Sequence, residues 1–368
     1  MNLTRTSRFA ALGFAGAIAL AACGGSSSES GSSAEASGEG TSAINCVSGT
    51  IKASGSSAQK NAITEWINEY QTACPDATIE YTPSGSSAGI QDFLNSQTSF
   101  AGSDSALNEE QTTQAATRCA NNEAWNLPML GGAIAVAYNV EGVDSLTLTP
   151  EVTAKIFDGQ ITNWNDPAIA AINSGVTLPD APIAQYHRSD GSGTTQNFTA
   201  WLDAASGGAW TFGDSKEWKA PGGQGSKGND GIASSLKSTP NSIGYIEESF
   251  LEQADAQAAL IDNGGGAVEL TTENASNGLA SAQVTGTGNN LALQLDYAET
   301  EPDAYPIVLV TYEITCSKGL PADQLDLTKS FLEYTSTQAA QDILPEVGYV
   351  PLPPELLTKV QTAVGALS

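Results

Sequence analysis

Apolar residues follow two alternating periods from about residue 45 to the end of the chain. Short runs such as Thr78–Thr82 alternate apolar and polar residues, which is the period of a half-buried strand. A glycine-serine turn follows, and then apolar residues recur at helical spacing, as at Ile63, Trp66 and Tyr70. Repeated strand–turn–helix units of this kind predict an α/β fold.

The same pattern predicts further elements along the chain. Predicted strands cover Thr50–Ala53, Phe100–Asp104, Ile183–His187 and Ser242–Ile246, and predicted helices cover Ile90–Leu94, Val152–Phe157, Trp164–Ile172, Phe198–Leu202, Ile232–Leu236, Thr328–Tyr334 and Glu355–Val364. Two longer apolar runs, Ala133–Tyr138 and Ile307–Ile314, suit central strands. We expect them to cross between two domains, the first of which consists of two sequence-distant pieces. A ligand would then lie at the carboxyl ends of strands, between the domains.

The first 22 residues follow neither period and predict an export signal. Arg5 and Arg8 precede the apolar segment Phe9–Ala22, which is too short to span a membrane comfortably. Leu20–Cys23 reads LAAC and resembles a bacterial lipobox, in which the cysteine becomes the lipid-bearing first residue. The alternative is an ordinary signal peptide with an incidental cysteine.

Residues 23–44 consist mostly of Ser, Gly, Ala, Glu and Thr. Such a composition buries too little apolar surface to order itself, so it predicts a flexible tether between a lipid and the folded part.

Charge and histidine content exclude some classes of partner. The chain has 14 Lys and Arg against 41 Asp and Glu, which gives a formal net charge of −27. A surface of this sign repels nucleic acid and anionic membrane, so neither is expected as a partner. The single histidine excludes a His-rich metal site, and no metal or cofactor is expected.

Four cysteines remain beyond Cys23, and in an exported chain they predict two disulfides. They are Cys46, Cys74, Cys119 and Cys316, and three connectivities are open. Cys46–Cys74 is favoured because it would join the start of the first strand to the end of the helix that returns beside it. That choice leaves Cys119–Cys316.

Three turns between a strand and a helix carry Ser and Gly, at Ser56–Ser57, Ser86–Ser87 and Ser192–Thr194. A helix N-terminus has unpaired N–H groups and partial positive charge, and glycine lets a ligand approach the backbone. Each turn could therefore cradle an anion, although plain helix capping is the alternative. Three turns facing one cleft would surround an anion with close donors that outweigh the diffuse acidic charge.

Charged residues beside these turns indicate what kind of anion would bind. The rigid fork of Arg188 suits a tetrahedral oxyanion, and Asp190 could hold that fork, the alternative being a surface ion pair. An ionised Asp104 would accept a hydrogen bond from phosphate, which carries a proton at neutral pH, and would repel sulfate, which carries none. The alternative for Asp104 is a turn-closing or capping aspartate.

Together these segments resemble the phosphate-binding protein (PstS type) of the high-affinity phosphate ABC importer. The resemblance covers the chain from about residue 46 to its end, and RSDGSGT and NWNDPAIA are its most specific parts. The matching stretches are ASGSSAQ (53–59), GSSAG (85–89), FAGSDSAL (100–107), IFDGQITNWNDPAIAAIN (156–173), HRSDGSGTTQNFT (187–199), GSKGNDGIA (225–233), SIGYIE (242–247) and YPIVLVTYEI (305–314).

This resemblance implies a two-lobed periplasmic-binding-protein fold of type II that closes on one phosphate. Each lobe would be a mixed sheet flanked by helices, with lobe I at 45–130 and 307–368, lobe II at 131–306, and two crossover strands between them. The implied phosphate-binding residues are Ser57, the backbone of Ala58, Ser86, Asp104, Arg188, Ser192, Gly193 and Thr194, with Asp190 in support. Many family members have Thr and a bulky residue where this chain has Ser57-Ala58, and this chain keeps the hydroxyl and the backbone N–H donors there.

The resemblance also implies a partner and a location. The expected protein is a monomeric solute-binding protein, not an enzyme, that delivers phosphate to the permease subunits of an ABC importer. It would sit on the extracellular face of the cell membrane and touch the membrane only through the lipid on Cys23.

Two rival functions remain open at the level of sequence. A binding protein for sulfate or molybdate would share the cradles, but Asp104 argues against it. A secreted serine hydrolase would use Ser87 of the GSSAG segment as nucleophile and His187 as base. The chain contains no HGGG-type oxyanion segment, and His187 adjoins Arg188 at a strand end.

Overall fold

The structure is a computed structural model that describes residues 44–298 and 300–368. The predicted signal peptide at 1–22, the predicted lipid attachment at Cys23 and residues 23–43 of the predicted tether lie outside the described residues. Within the described ranges, no helix combines the length and the apolar character that crossing a membrane requires.

Strands and helices alternate through most of the described chain. The strands are β1 (Gly49–Gly55), β2 (Ala77–Thr82), β3 (Phe100–Ser103), β4 (Ala124–Asn139), β5 (Thr147–Leu148), β6 (Ala184–Arg188), β7 (Gln224–Ser226), β8 (Ser242–Glu247), β9 (Gln257–Ala258), β10 (Leu260–Asp262), β11 (Ala267–Val268), β12 (Gln283–Val284), β13 (Leu293–Gln294) and β14 (Val308–Cys316). The α-helices are α1 (Lys60–Ala73), α2 (Ser86–Leu94), α3 (Glu109–Arg118), α4 (Pro150–Phe157), α5 (Pro167–Ile172), α6 (Gly193–Ala205), α7 (Gly228–Ser238), α8 (Leu251–Ala254), α9 (Thr272–Leu279), α10 (Ala322–Thr335), α11 (Gln338–Asp342) and α12 (Pro354–Gly365), and 3₁₀ turns lie at Glu248–Phe250 and Leu344–Val347.

The main sheet has the strand order β2-β1-β3-β14-β4-β8-β6-β7, with β9 beside β4. Strands β1, β2 and β3 are parallel, and β14 runs antiparallel to β3 and β4. We call β2, β1, β3 and β14 the first half of this sheet, and β8, β6 and β7 the second half. Strand β4 pairs with β14 over residues 124–133 and with β8 over 134–139, so it passes from one half to the other.

The two long strands are nearly fully buried, which explains why both contain long apolar runs. Helices α1, α10 and α12 cover the first half through Trp66, Phe331 and Val360. On the second half, α6 packs Phe198 against Tyr245 of β8, and the two rings stack with centroids 4.4 Å apart. The polar carboxyl ends of β1, β3 and β6 lie between these cores.

Several predicted boundaries differ from those of the structure, and two of the differences have a clear local cause. The helix predicted to begin at Trp164 begins at Pro167, because the Asp166 side chain accepts a hydrogen bond from the Ala168 amide and caps it there. The strand predicted at Ala133–Tyr138 begins at Ala124. It includes Pro128, which faces Tyr312 at a register shift between β4 and β14. A bulge accommodates a proline that a regular central strand would not.

The four described cysteines form two disulfides, with the connectivity favoured from the sequence. Cys46–Cys74 ties the segment before β1 to the end of α1. Cys119–Cys316 ties the end of α3 to the end of β14, across 197 positions of sequence. Both disulfides brace the first half of the sheet.

Candidate functional site

The three glycine-serine turns meet in one place. The first turn (Ser54–Ala58) follows β1, the second (Ser84–Ala88) leads into α2, and the third (Ser189–Thr194) leads from β6 into α6. The amide of Gly193 donates to Ser86 Oγ at 3.1 Å, and the amide of Ser87 donates to the Gly191 carbonyl at 3.0 Å. Turns from the two halves of the sheet are therefore in direct contact.

Hydroxyl groups of the first two turns do not cap their own helices. The N-cap residues of α1 and α2 are Gln59 and Gly85, and neither makes a side-chain capping bond. Ser192 does cap α6, since its hydroxyl accepts from the Thr195 amide at 3.1 Å. Plain capping is thus the wrong interpretation of the first two turns and the right one for Ser192.

Asp104 lies at the centre of the three turns and is 3 % exposed. Its Oδ1 accepts hydrogen bonds from the hydroxyls of Ser56 and Thr311, the latter at 3.0 Å, and its Oδ2 accepts from Thr194 at 3.2 Å. These three hydroxyls come from the first turn, β14 and α6. Asp104 therefore does not close its own turn, and it joins both halves of the sheet.

Opposing effects act on the pKa of Asp104. Burial raises this pKa above its ordinary value, and it outweighs the hydroxyl hydrogen bonds of Ser56 and Thr311 and the charge of Arg188, which lower it. The three hydroxyl donors favour the ionised carboxylate. The ionised carboxylate can accept one further hydrogen bond, from a ligand that carries a proton.

Arg188 and Asp190 form a buried ion pair beside this carboxylate. Arg188 Nε donates to Asp190 Oδ1 at 2.8 Å and its Nη2 donates to Oδ2 at 2.5 Å, and the two side chains are 1 % and 11 % exposed. Burial alone would raise the pKa of Asp190, but the hydrogen bonds and charge of Arg188 and the Gly228 amide lower it overall. The pair is not the loose surface ion pair considered as the alternative.

The third nitrogen of the guanidinium, Nη1, points toward Thr194. Arg188 Nη1 lies 3.4 Å from the Thr194 hydroxyl, which itself donates to Asp104. With Nε and Nη2 held by Asp190, the orientation of the fork is fixed. The structure thus aligns a cation, a hydroxyl and a carboxylate in one row.

The two serines of the first turn have different partners. Ser57 Oγ accepts from the backbone and side-chain nitrogens of Asn229, both at 3.1 Å, at the N-terminus of α7. Ser56, not Ser57, donates to Asp104, and its oxygen accepts from the Ala58 amide at 3.0 Å. Sequence reasoning missed Ser56 because two adjacent serines carry the same chemical signal.

Two other residues at the site were also missed. Thr311 and Glu313 interrupt the apolar run Ile307–Ile314, and that interruption was the available signal for Thr311. Asn197 Nδ2 donates to the carbonyls of Asp104 and Gly193, both at 2.8 Å. No sequence signal distinguishes Asn197 from an ordinary polar position on α6.

Glycine is required where the turns approach each other. A Cβ on Gly193 would lie 2.6 Å from Asp104 Cβ and 2.8 Å from Ser86 Oγ. At Gly85, φ is +101° and a Cβ would lie 2.5 Å from Asp190 Oδ2. These glycines let the two halves of the site come together.

A second cation lies near the site besides Arg188. The Lys216 carbonyl accepts from the Ser192 amide at 2.9 Å, which places this residue next to the start of α6. Burial lowers the pKa of Lys216 to about 8, while the charge of Asp104 opposes that shift. Arg188 is therefore not the only cation that acts on Asp104 among the described residues.

The geometry of a serine hydrolase is not found. His187 Nδ1 pairs with the Arg188 carbonyl at 2.9 Å, and its ring stacks on Trp218 with centroids 4.9 Å apart. Burial lowers the pKa of His187. In the described ranges no hydrogen bond joins His187 to Ser87, and no group of His, Cys, Asp and Glu is arranged to hold a metal ion.

Comparison with known proteins first gives the class. Residues 40–338 match the family described as the PBP superfamily domain. Among solved structures, the phosphate binding protein from Stenotrophomonas maltophilia superposes with a TM-score of 0.67 at 16 % identity, covering 85 % of this chain and 93 % of that one. The chain therefore has the two-lobed fold of periplasmic phosphate-binding proteins, as predicted.

Closer relatives give the family. PstS 3 of Mycobacterium tuberculosis is 42 % identical over 373 residues, covering 100 % of both chains. PstS 3 of Mycobacterium leprae is 43 % identical over 323 residues, covering 87 % of both. The chain belongs to the PstS family of phosphate-binding proteins.

Proposed function

We propose that this protein captures inorganic phosphate between its two lobes and delivers it to an ABC importer. One observation carries the proposal: three hydroxyl groups from both halves of the sheet donate to the buried carboxylate of Asp104, and two of the neighbouring hydroxyls are contacted by the Gly193 amide and the Arg188 guanidinium. Phosphate is an anion that both needs many donors and brings a proton of its own. The names of the relatives support the same ligand.

Each predicted site residue has a role in this proposal. Arg188 supplies charge from the second half of the sheet, oriented by Asp190, and the Thr194 hydroxyl and Gly193 amide supply donors at the start of α6. Ser86 supplies a hydroxyl from the first half. For the first turn we add Ser56 to the predicted Ser57 and Ala58, because the Ser56 hydroxyl contacts Asp104. Ser192 acts through its cap on α6.

Asp104 provides selectivity among oxyanions. An ionised Asp104 accepts a hydrogen bond from the protonated oxygen of phosphate and repels sulfate or molybdate, which carry no proton. For this reason we favour phosphate over the other oxyanions. We also propose binding rather than catalysis, since His187 pairs with the Arg188 carbonyl and stacks on Trp218, and no hydrogen bond among the described residues joins it to Ser87.

The test of the ligand is a thermal unfolding series on residues 24–368. A ligand that binds only the folded state raises the melting temperature in proportion to the logarithm of its concentration. Phosphate should raise it over a range of micromolar to millimolar concentrations, and sulfate at equal ionic strength should not. An equal shift with both anions would contradict the proposal.

The lobe boundaries, the partner and the location are parts of the same proposal. We place lobe I at 45–130 and 307–368 and lobe II at 131–306, with β4 and β14 as the crossover strands. The protein would act as a monomer, anchored by lipid on Cys23 at the extracellular face, and would pass phosphate to the permease subunits. A Cys23→Ala variant should appear in the medium instead of the membrane fraction, and its retention in that fraction would contradict the lipid anchor.

A further inference from the structure

A buried acid that the proposed phosphate site does not use lies behind Asp104. Glu313 is in β14, is 1 % exposed, and faces Gly102 of β3 and Leu127 of β4 in register. Both of its carboxyl oxygens, together with Gln59 Oε1, are buried and lack a hydrogen bond of ordinary geometry among the described residues. Three such oxygens in one cluster require an explanation, because leaving buried polar atoms unpaired is costly.

A series of hydrogen bonds leads from this cluster to Asp104. Gln59 Nε2 donates to the Tyr81 hydroxyl at 3.0 Å, and the Tyr81 hydroxyl donates to the Ser56 carbonyl at 2.7 Å. Ser56 in turn donates its hydroxyl to Asp104. The turn that contacts Asp104 is thus held from behind by Gln59 and Tyr81.

A glycine leaves the space for this series. A Cβ on Gly102 would lie 2.1 Å from Gln59 Nε2 and 2.4 Å from the Tyr81 hydroxyl. The residue opposite Glu313 in the sheet is therefore one that lets these two side chains reach across the end of β3. The arrangement is built into the strand and is not a loose surface contact.

Protonation of Glu313 accounts for the unpaired oxygens. Burial raises the pKa of Glu313 to about 8, Gln59 lowers it, and the charge of Asp104 raises it. A neutral Glu313 has a hydroxyl that can donate to Gln59 Oε1, since the Gln59 side chain is a neighbour of this carboxyl group. This single proton pairs two of the three oxygens.

Few other charges act on Glu313. Asp104, after β3, raises its pKa, and the Tyr81 hydroxyl on β2 has its own pKa raised, first by burial and then by Glu313. Arg188 acts from the second half on Asp104. None of these is a cation in contact with Glu313, so an ionised Glu313 would add a second negative charge next to the carboxylate of Asp104.

We propose that Glu313 is a positioning residue: as a neutral acid it holds Gln59, Tyr81 and Ser56 in place around the oxyanion site, and its ionisation in alkaline solution weakens oxyanion binding. The proposal rests on the proposed phosphate-binding function. Glu313 touches no ligand in this account, and it acts through the first turn and through its charge.

The test is the dissociation constant of phosphate for the wild type and Glu313→Gln, measured by calorimetry from pH 6 to pH 10. Glutamine keeps a neutral donor but cannot ionise. Ionisation of phosphate itself affects both proteins equally, so the ratio of the two constants isolates Glu313. We expect a ratio near one at pH 6, and about tenfold tighter binding by the variant than by the wild type above pH 9.

Two variants separate positioning from charge. Glu313→Met also cannot ionise but offers no donor, so it should lose affinity at pH 6 and likewise lack the alkaline decline. It also serves if the glutamine variant folds poorly. Glu80→Gln, an exposed position next to Tyr81 on β2, should follow the wild type at every pH.

Other outcomes overturn the proposal. Superimposable profiles for wild type and Glu313→Gln over the whole range would show that Glu313 does not ionise in a way the ligand senses. A constant loss of affinity at every pH would show a merely structural role. Absence of phosphate binding by the wild type would overturn this inference and the proposed function together, whereas the first two outcomes leave the proposed function standing.

Discussion

On the second-half side of the site, Arg188 and Asp190 form a two-point ion pair, whereas on the first-half side Asp104 and Glu313 are buried acids that form no ion pair with any described residue. The pair lowers the pKa of Asp190, and burial raises the pKa of Asp104 and Glu313. The second half therefore presents fixed charge, and the first half presents carboxyl groups whose protonation can respond to the ligand and to pH. Attraction and selectivity are thus assigned to different halves of one site.

The largest expected effect comes from removing the fixed charge. Arg188→Ala should weaken phosphate binding by at least about 100-fold, because the ligand loses its charged donor and Asp190 is left buried without its partner. Calorimetry measures the change. Arg188→Lys keeps the charge but not the two-point fork, so its affinity should fall between those of wild type and alanine variant. Near-wild-type affinity of Arg188→Ala would place the binding site elsewhere.

The next effect comes from neutralising the selective half. Asp104→Asn should weaken phosphate binding about tenfold or more, since the acceptor for the phosphate proton is lost, and should allow sulfate to compete. Competition between the two anions in equilibrium dialysis measures the selectivity. If the variant still rejects sulfate as the wild type does, selectivity does not come from the charge of Asp104.

A third variant tests how closely the two halves must approach. Gly193→Ala should weaken phosphate binding about tenfold, because its Cβ would overlap Asp104 Cβ and Ser86 Oγ and hold the lobes apart. The free energy of unfolding should change little. Gly365→Ala in α12 is the matched control, since its Cβ would meet no atom within 4 Å. Unchanged affinity of Gly193→Ala would show that binding does not need this contact.

The smallest effect is expected from an exposed ion pair. Lys60 and Asp230 join α1 to α7 through an ion pair of 2.6 Å, but their side chains are 37 % and 41 % exposed. Exposed pairs contribute little, so Lys60→Gln should weaken phosphate binding by no more than about fivefold, and less in high salt. Lys155→Gln, which removes a pair within α4, should have no effect. If Lys60→Gln lost as much affinity as Arg188→Ala, the distinction between the buried and the exposed ion pair would be contradicted.

Much of the fold was predictable, because the spacing of apolar residues and the residues that form turns determine local structure. The strands and helices around Ile63, Tyr186 and Phe198 follow the apolar period, and the two long apolar runs did prove to be the central strands β4 and β14. Where local signals compete with tertiary packing, the prediction failed. Pro128 lies inside β4 because a bulge accommodates it, and the sequence contains no sign of that bulge.

At the site, residue type was predictable but contact was not. The structure brings the predicted turns, Asp104 and Arg188 together. Ser56 and Ser57 carry identical hydroxyls, and only the path of the chain decides that one reaches Asp104 and the other Asn229. Glu313 lies in a strand that reads as apolar core, so its place behind Asp104 depends on strand register.

The most direct test is titration calorimetry on ligand-free residues 24–368 with phosphate, sulfate and molybdate in turn. We predict tight one-to-one binding of phosphate and no measurable heat from sulfate or molybdate, because only phosphate satisfies Arg188 and Asp104 together. Tight binding of sulfate or molybdate would contradict the role given to Asp104. Silence from all three anions would contradict the convergence of the three turns on a ligand.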